Sequence, residues 1–127
     1  MNKLLLVSIL LLAFSNIVSA EVYTISGYTT FSDGTPVKKT KITVECSANE
    51  YNCTSINDVV TTDLNGKYQI VLDINKSHNG KELSLEILGE YFFHTMELKS
   101  QNETQQEPAI QDIQLNQNPP TYPLSFS

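Results

Sequence analysis

The sequence has no arginine. Its side-chain cations are eight lysines, set against 14 acidic residues. Phosphate and nucleic-acid recognition relies on cationic patches and on the bidentate guanidinium fork, so this composition argues against both. The same balance disfavours an anionic membrane surface. Cysteine is scarce too, with Cys46 and Cys53 only. Two thiols need further ligands to hold a metal, and none stands at a suitable spacing. Long apolar runs are confined to the first twenty residues. No stretch carries a capped helical period, no internal repeat is evident, and no G-x-S-x-G elbow occurs.

Residues 1–20, MNKLLLVSILLLAFSNIVSA, have the order of a secretory leader. Lys3 gives a positive start, Leu4 to Phe14 an apolar stretch, and Val18-Ser19-Ala20 a small-residue cleavage site. The apolar stretch is short for a bilayer span, which takes roughly 20 residues. The reading is a cleaved signal peptide, with a secreted chain starting near Glu21. Cleavage removes one lysine and no acid, leaving seven lysines against 14 acids and a formal charge of −7. What remains is enough for one domain with a modest core. Secretion makes a Cys46–Cys53 disulfide the default expectation.

Apolar residues recur with a period of two, so the chain reads as strands. Glu21 to Phe31 places Ile25, Gly27 and Thr29 on one face. Thr40 to Cys46 places Ile42, Val44 and Cys46 inward. Lys81 to Leu88 offers Leu83, Leu85 and Ile87, and Tyr91 to Leu98 is dense in aromatics. Gln111 to Leu115 is the last strand, with Ile113 and Leu115 inward. Between Val59 and Leu72, two alternating runs flank Asp63-Leu64-Asn65-Gly66. Asn-Gly in that setting is a strong hairpin signal. A calcium loop would need the longer D-x-[DN]-x-[DN]-G-x5-E ladder, which is absent. The expectation is all-β: a seven-stranded antiparallel β-sandwich of immunoglobulin/transthyretin type over residues 21–116, then a Pro-rich flexible tail over 117–127.

The order of motifs carries a resemblance. Ile25-Ser26-Gly27 opens the first strand and Asp33-Gly34-Thr35-Pro36-Val37 makes the first turn. Ile42-Thr43-Val44, the run Thr61 to Tyr68, and Asp112-Ile113-Gln114-Leu115 follow. This resembles the transthyretin-like (prealbumin-type) superfamily, in the broad sense that includes carboxypeptidase regulatory-like domains and secreted nematode transthyretin-like proteins. The resemblance implies a sandwich fold and says little about function. Its enzyme branch, the hydroxyisourate hydrolases, uses an arginine and a C-terminal Tyr-Arg-Gly-Ser. This chain has neither.

Candidate chemistry is sparse. His94-Thr95-Met96-Glu97 spells H-x-x-E, but residues three apart on a strand face opposite sides and should not share a metal. A third ligand would have to come from His78 or a distant carboxylate. Asp58 and Asp63 are explained as solvated turn positions. Asn52, Asn75 and Asn102 each begin an N-x-[ST] sequon in a loop, open to glycosylation in a eukaryotic host. Pro119-Pro120-Thr121-Tyr122 matches the PPxY ligand of WW domains, which work inside cells. Tyr91, Phe92 and Phe93 place aromatics on both faces of one strand, and an outward one can mark a binding surface. The expected function is a secreted, non-catalytic module, without cofactor or metal, that binds an extracellular protein, lipid or glycan. The alternative is an oligomeric carrier of a small hydrophobic ligand in the transthyretin style.

Overall fold

Ten residues, Glu21–Thr30, form the longest strand, β1. Tyr23, Ile25, Gly27 and Thr29 point inward, while Val22 and Tyr28 point out. The computed structural model describes residues 21–46, 53, 56–98 and 108–121. Seven further strands follow: β2 (Lys41–Cys46), β3 (Asn57–Thr61), β4 (Lys67–Ile74), β5 (Glu82–Ile87), β6 (Glu90–Thr95), β7 (Ala109–Ile110) and β8 (Ile113–Gln114). A single 3-10 turn, Lys76–His78, sits between β4 and β5.

The strands make two four-stranded sheets. In the first, β1 lies between β4 and the β7/β8 segment. In the second the order is β3-β2-β5-β6. Alternate residues meet between them. Ile25, Ile42, Val44, Ile70, Leu83, Leu85 and Ile87 are fully buried, joined by Met96 and Val37. Each large apolar side chain removed from water contributes about 1.5–3 kcal/mol, so this double row is the main source of stability. The fold is all-β and sandwich-like, as the period-two pattern predicts.

Three details depart from the sequence reading. The Asp63-Leu64-Asn65-Gly66 turn does not close a hairpin. β3 pairs with β2 (Thr43 opposite Val59), and β4 pairs with β1 (Ile25 opposite Ile70). The turn is therefore a corner that carries the chain from one sheet to the other. Its local chemistry is as predicted. Asp63 accepts from the N–H groups of Asn65 (2.8 Å) and Lys67 (2.9 Å), and Gly66 takes φ +78°. What redirects the arms is their neighbours. The Gly66 carbonyl accepts from the Thr29 N–H (2.7 Å), and a Cβ on Gly66 would stand 2.5 Å from the Thr29 carbonyl oxygen. Buried Thr62 donates to the Val37 carbonyl (2.6 Å) and accepts from the Thr40 N–H (3.0 Å).

The tight two-residue hairpin lies instead at Leu88-Gly89, joining paired residues Ile87 and Glu90. Both turn residues have positive φ, +50° and +82°. That matches the twist of a β-ribbon but strains a leucine.

The last strand is two short strands, which makes eight among the described residues, and both run parallel to β1 rather than antiparallel. The break falls beside Gly27. A Cβ there would stand 2.0 Å from the Gln111 carbonyl oxygen, so only glycine admits this approach. Opposite the break, the Asp112 carboxylate replaces a backbone acceptor and takes the Tyr28 N–H at 2.9 Å.

Candidate functional site

β6 is an edge strand of the second sheet, and its side chains alternate. Phe92 and His94 turn inward, with Phe92 packing on the core. Tyr91 and Phe93 turn outward and are 60% and 58% exposed. Cross-strand register defines their neighbours. Tyr91 stands opposite Glu86, Phe93 opposite Ser84, and Thr95 opposite Glu82. One strand further in, Glu86 faces Thr43 and Ser84 faces Glu45. Partners in register point to the same side, about 4.5–5.5 Å apart between Cβ atoms. The outer face thus carries two exposed rings on one flank and three glutamates beside them. Among the described residues, Lys41 is the lysine of this face, and it lies at the end of β2 opposite Thr61.

The inward side of β6 meets a half-buried polar chain. The Tyr23 hydroxyl is 2.7 Å from His94 Nε2, and His94 Nδ1 is 2.5 Å from Gln111 Oε1. Gln111 Nε2 donates to the Phe93 carbonyl (3.2 Å), and the Tyr68 hydroxyl donates to the Gln111 carbonyl. The donors and acceptors fix one another. A carbonyl can only accept, so the Gln111 amide nitrogen faces Phe93 and its oxygen faces the imidazole. Nδ1 then carries the hydrogen, and Nε2 accepts from Tyr23. Burial raises the Tyr23 phenol above its ordinary range, with the Glu97 charge adding to the rise. Burial raises Tyr68 further, helped by the Asp112 charge. Both phenols are held neutral. These bonds run from β1 and β4, across β6, to the β7/β8 segment, and they tie the edge of one sheet to the other. His94 faces this network while Glu97 lies exposed beyond the strand end, so the H-x-x-E pair does not converge.

At the end of the sandwich where β1 leaves and β6 begins, an open cleft of about 740 Å³ has walls that include Phe31, Pro36, Lys38, Leu88, Pro119 and Pro120. Hydrogen bonds lock its walls. Ser32 N–H donates to the Gln117 carbonyl (3.1 Å), and Gln117 Nε2 donates to the Leu88 carbonyl (3.0 Å). Glu90 accepts from the Asn116 N–H (2.8 Å) and from Gln117 Nε2 (2.7 Å). The N–H of Asn116, ahead of the Gln117 amide, holds the Glu90 carboxyl below its usual range. Sequence reasoning missed this cleft because its walls come from three separate turns.

The remaining predicted residues are placed as follows. Cys46 and Cys53 form a disulfide with Cα atoms 5.5 Å apart. Asn75 is exposed and caps the 3-10 turn, its Oδ1 accepting from the N–H of Ser77 within its own sequon at 2.9 Å. Buried His78 is the same turn's other half: its Nδ1 accepts from the Asn75 N–H at 3.0 Å. Asn52, Asn102 and Tyr122 lie outside the described residues. Among the described residues, no group of three or more His, Cys, Asp or Glu is placed to hold a metal ion. No helix among them is long and apolar enough to cross a membrane.

No protein-family model matches the chain. No curated protein matches it either. Among solved structures, the chain is similar to the dioxygenase domain of a dioxygenase carbohydrate-binding protein fusion from the cellulolytic bacterium Streptomyces sp. SirexAA-E. The TM-score is 0.54 at 8% identity, over 81% of this chain and 84% of that one. Likeness at that identity is one of fold.

Proposed function

We propose that this protein is an exported, non-catalytic β-sandwich module of transthyretin-like type that binds a lysine- or arginine-bearing extracellular protein. The outer face of the β3-β2-β5-β6 sheet is the binding surface. The observation that carries this reading is the pairing of two exposed rings, Tyr91 and Phe93, with Glu82, Glu86 and Glu45 on one face. Ring faces attract cations, and desolvation by a partner strengthens that attraction to about 2 kcal/mol per contact. The glutamates add complementary charge, which governs orientation and encounter rate more than affinity. Net acidity favours the same kind of partner. Export rests on the leader-like residues 1–20 and agrees with a disulfide, which persists in oxidising compartments. The dioxygenase likeness lends no activity to this chain, because function resides in sites rather than folds.

Fluorescence anisotropy with labelled peptides tests the proposal. A lysine-rich peptide should bind the purified protein, while glutamate-rich and uncharged peptides of equal length should not. Replacing Tyr91 and Phe93 by serine should abolish the signal. Equal binding of all three peptides, or an unchanged response in the double variant, would refute this assignment.

A further inference from the structure

The cleft at the β1–β2 end does not belong to the aromatic face. Its walls are the β1–β2 turn, the Leu88-Gly89 hairpin and the segment after β8, all from one chain, so no second subunit is needed to form it. A volume of about 740 Å³ falls in the range of small-molecule sites. The lining is mostly ring and aliphatic carbon, from Phe31, Pro36, Leu88, Pro119 and Pro120. Among the described residues one charged group lines it, Lys38, whose ammonium forms no ion pair with a described carboxylate. Lys39 and Lys41, which follow in sequence, do not line the cleft. Asp33, Asp63 and Glu90 are near this end but do not line the cleft, and each accepts backbone N–H groups.

Leu88 supplies a second, independent pointer. It is a leucine held at φ +50° and is 48% exposed at the cleft wall. Asparagine or glycine would occupy that backbone position with less strain, and strain kept at one point invites a functional explanation. Here it projects an apolar side chain over the cleft.

We propose that this cleft binds a small amphiphile with an apolar body and one anionic head. The body lies on Phe31, Pro36 and Leu88, and the head sits in solvent beside Lys38. An open cleft suits such a ligand, since the charged end stays hydrated while the chain or ring leaves water.

The test uses 11-(dansylamino)undecanoic acid and its uncharged methyl ester, titrated into the purified protein and followed by dansyl emission. The acid should bind saturably, about three-fold tighter than the ester. Lys38→Gln should bring the acid to the level of the ester and leave the ester unchanged. Leu88→Asn should weaken both about ten-fold without lowering the thermal midpoint, because it removes apolar contact and relieves the turn. The proposal is overturned by any of three results: no saturable binding, equal affinity for acid and ester, or variants that bind like the original. Each is independent of the peptide-binding face, since neither substitution touches β6.

Discussion

The Tyr23 hydroxyl and His94 Nε2 stand 2.7 Å apart, joining the middle of one sheet to the edge of the other. Their rings also touch, with centroids 5.7 Å apart. This bond starts a chain through Gln111 that occupies the Phe93 carbonyl, an outward-facing acceptor on an edge strand. An unpaired edge invites pairing with other chains, and the Gln111 amide occupies one of its acceptors.

Tyr23→Phe keeps the ring and removes the donor to His94. The imidazole nitrogen is left without its partner at a half-buried position, which costs about 1–3 kcal/mol. Urea unfolding should show that loss as a lower midpoint at unchanged slope. A neutral outcome would mean that water replaces the hydroxyl.

Gly27→Ala should be among the most damaging single changes. The new methyl group would meet the Gln111 carbonyl oxygen at 2.0 Å, so β7 and β8 must move off β1. A loss of about 3 kcal/mol or more is expected, with hydrogen exchange rising first at the Gln111 and Leu115 amides. Thermal unfolding followed by amide exchange checks both.

Leu88→Asn should stabilise by about 1 kcal/mol, because asparagine tolerates the left-handed conformation that leucine holds at φ +50°. A lowered unfolding midpoint would show that Leu88 contributes packing larger than its strain.

Stability should fall at both ends of the pH range. Tyr23 and Tyr68 have raised phenol pKa values in the folded state, chiefly through burial. Their contribution is complete below the unfolded value of about 10 and is lost as pH rises above it. Asp33, Asp63 and Glu90 have lowered values through bonds from backbone N–H groups. Their contribution is present above roughly pH 4 and is lost as pH falls below it. Unfolding midpoints from pH 2 to pH 12 should trace a plateau with two shoulders, at about pH 4 and about pH 10. Asp63→Asn should flatten part of the acid shoulder.

Turn chemistry and strand location were legible, and pairing was not. Asp63 makes the Asx bond its carboxylate favours and Gly66 takes the positive φ that glycine tolerates, both decided within four residues. Which strand then lies beside Lys67–Ile74 depends on the eight-residue match with Glu21–Thr30, some forty residues away. The aromatic run Tyr91, Phe92 and Phe93 reads as a possible surface from sequence, and the structure leaves only Tyr91 and Phe93 on it. Only the pleat separates them from Phe92, which faces the core.

The sequence by itself determined that alternate residues are buried and where the chain turns. Both are short-range consequences of backbone period and turn chemistry. The tertiary structure decided that the Asn-Gly turn is a corner between sheets, that the last strand breaks and runs parallel to β1, and that three distant turns enclose a cleft. Those features depend on contacts between residues far apart in the chain, such as Gly27 with Gln111 and Gln117 with Leu88, which no local period encodes.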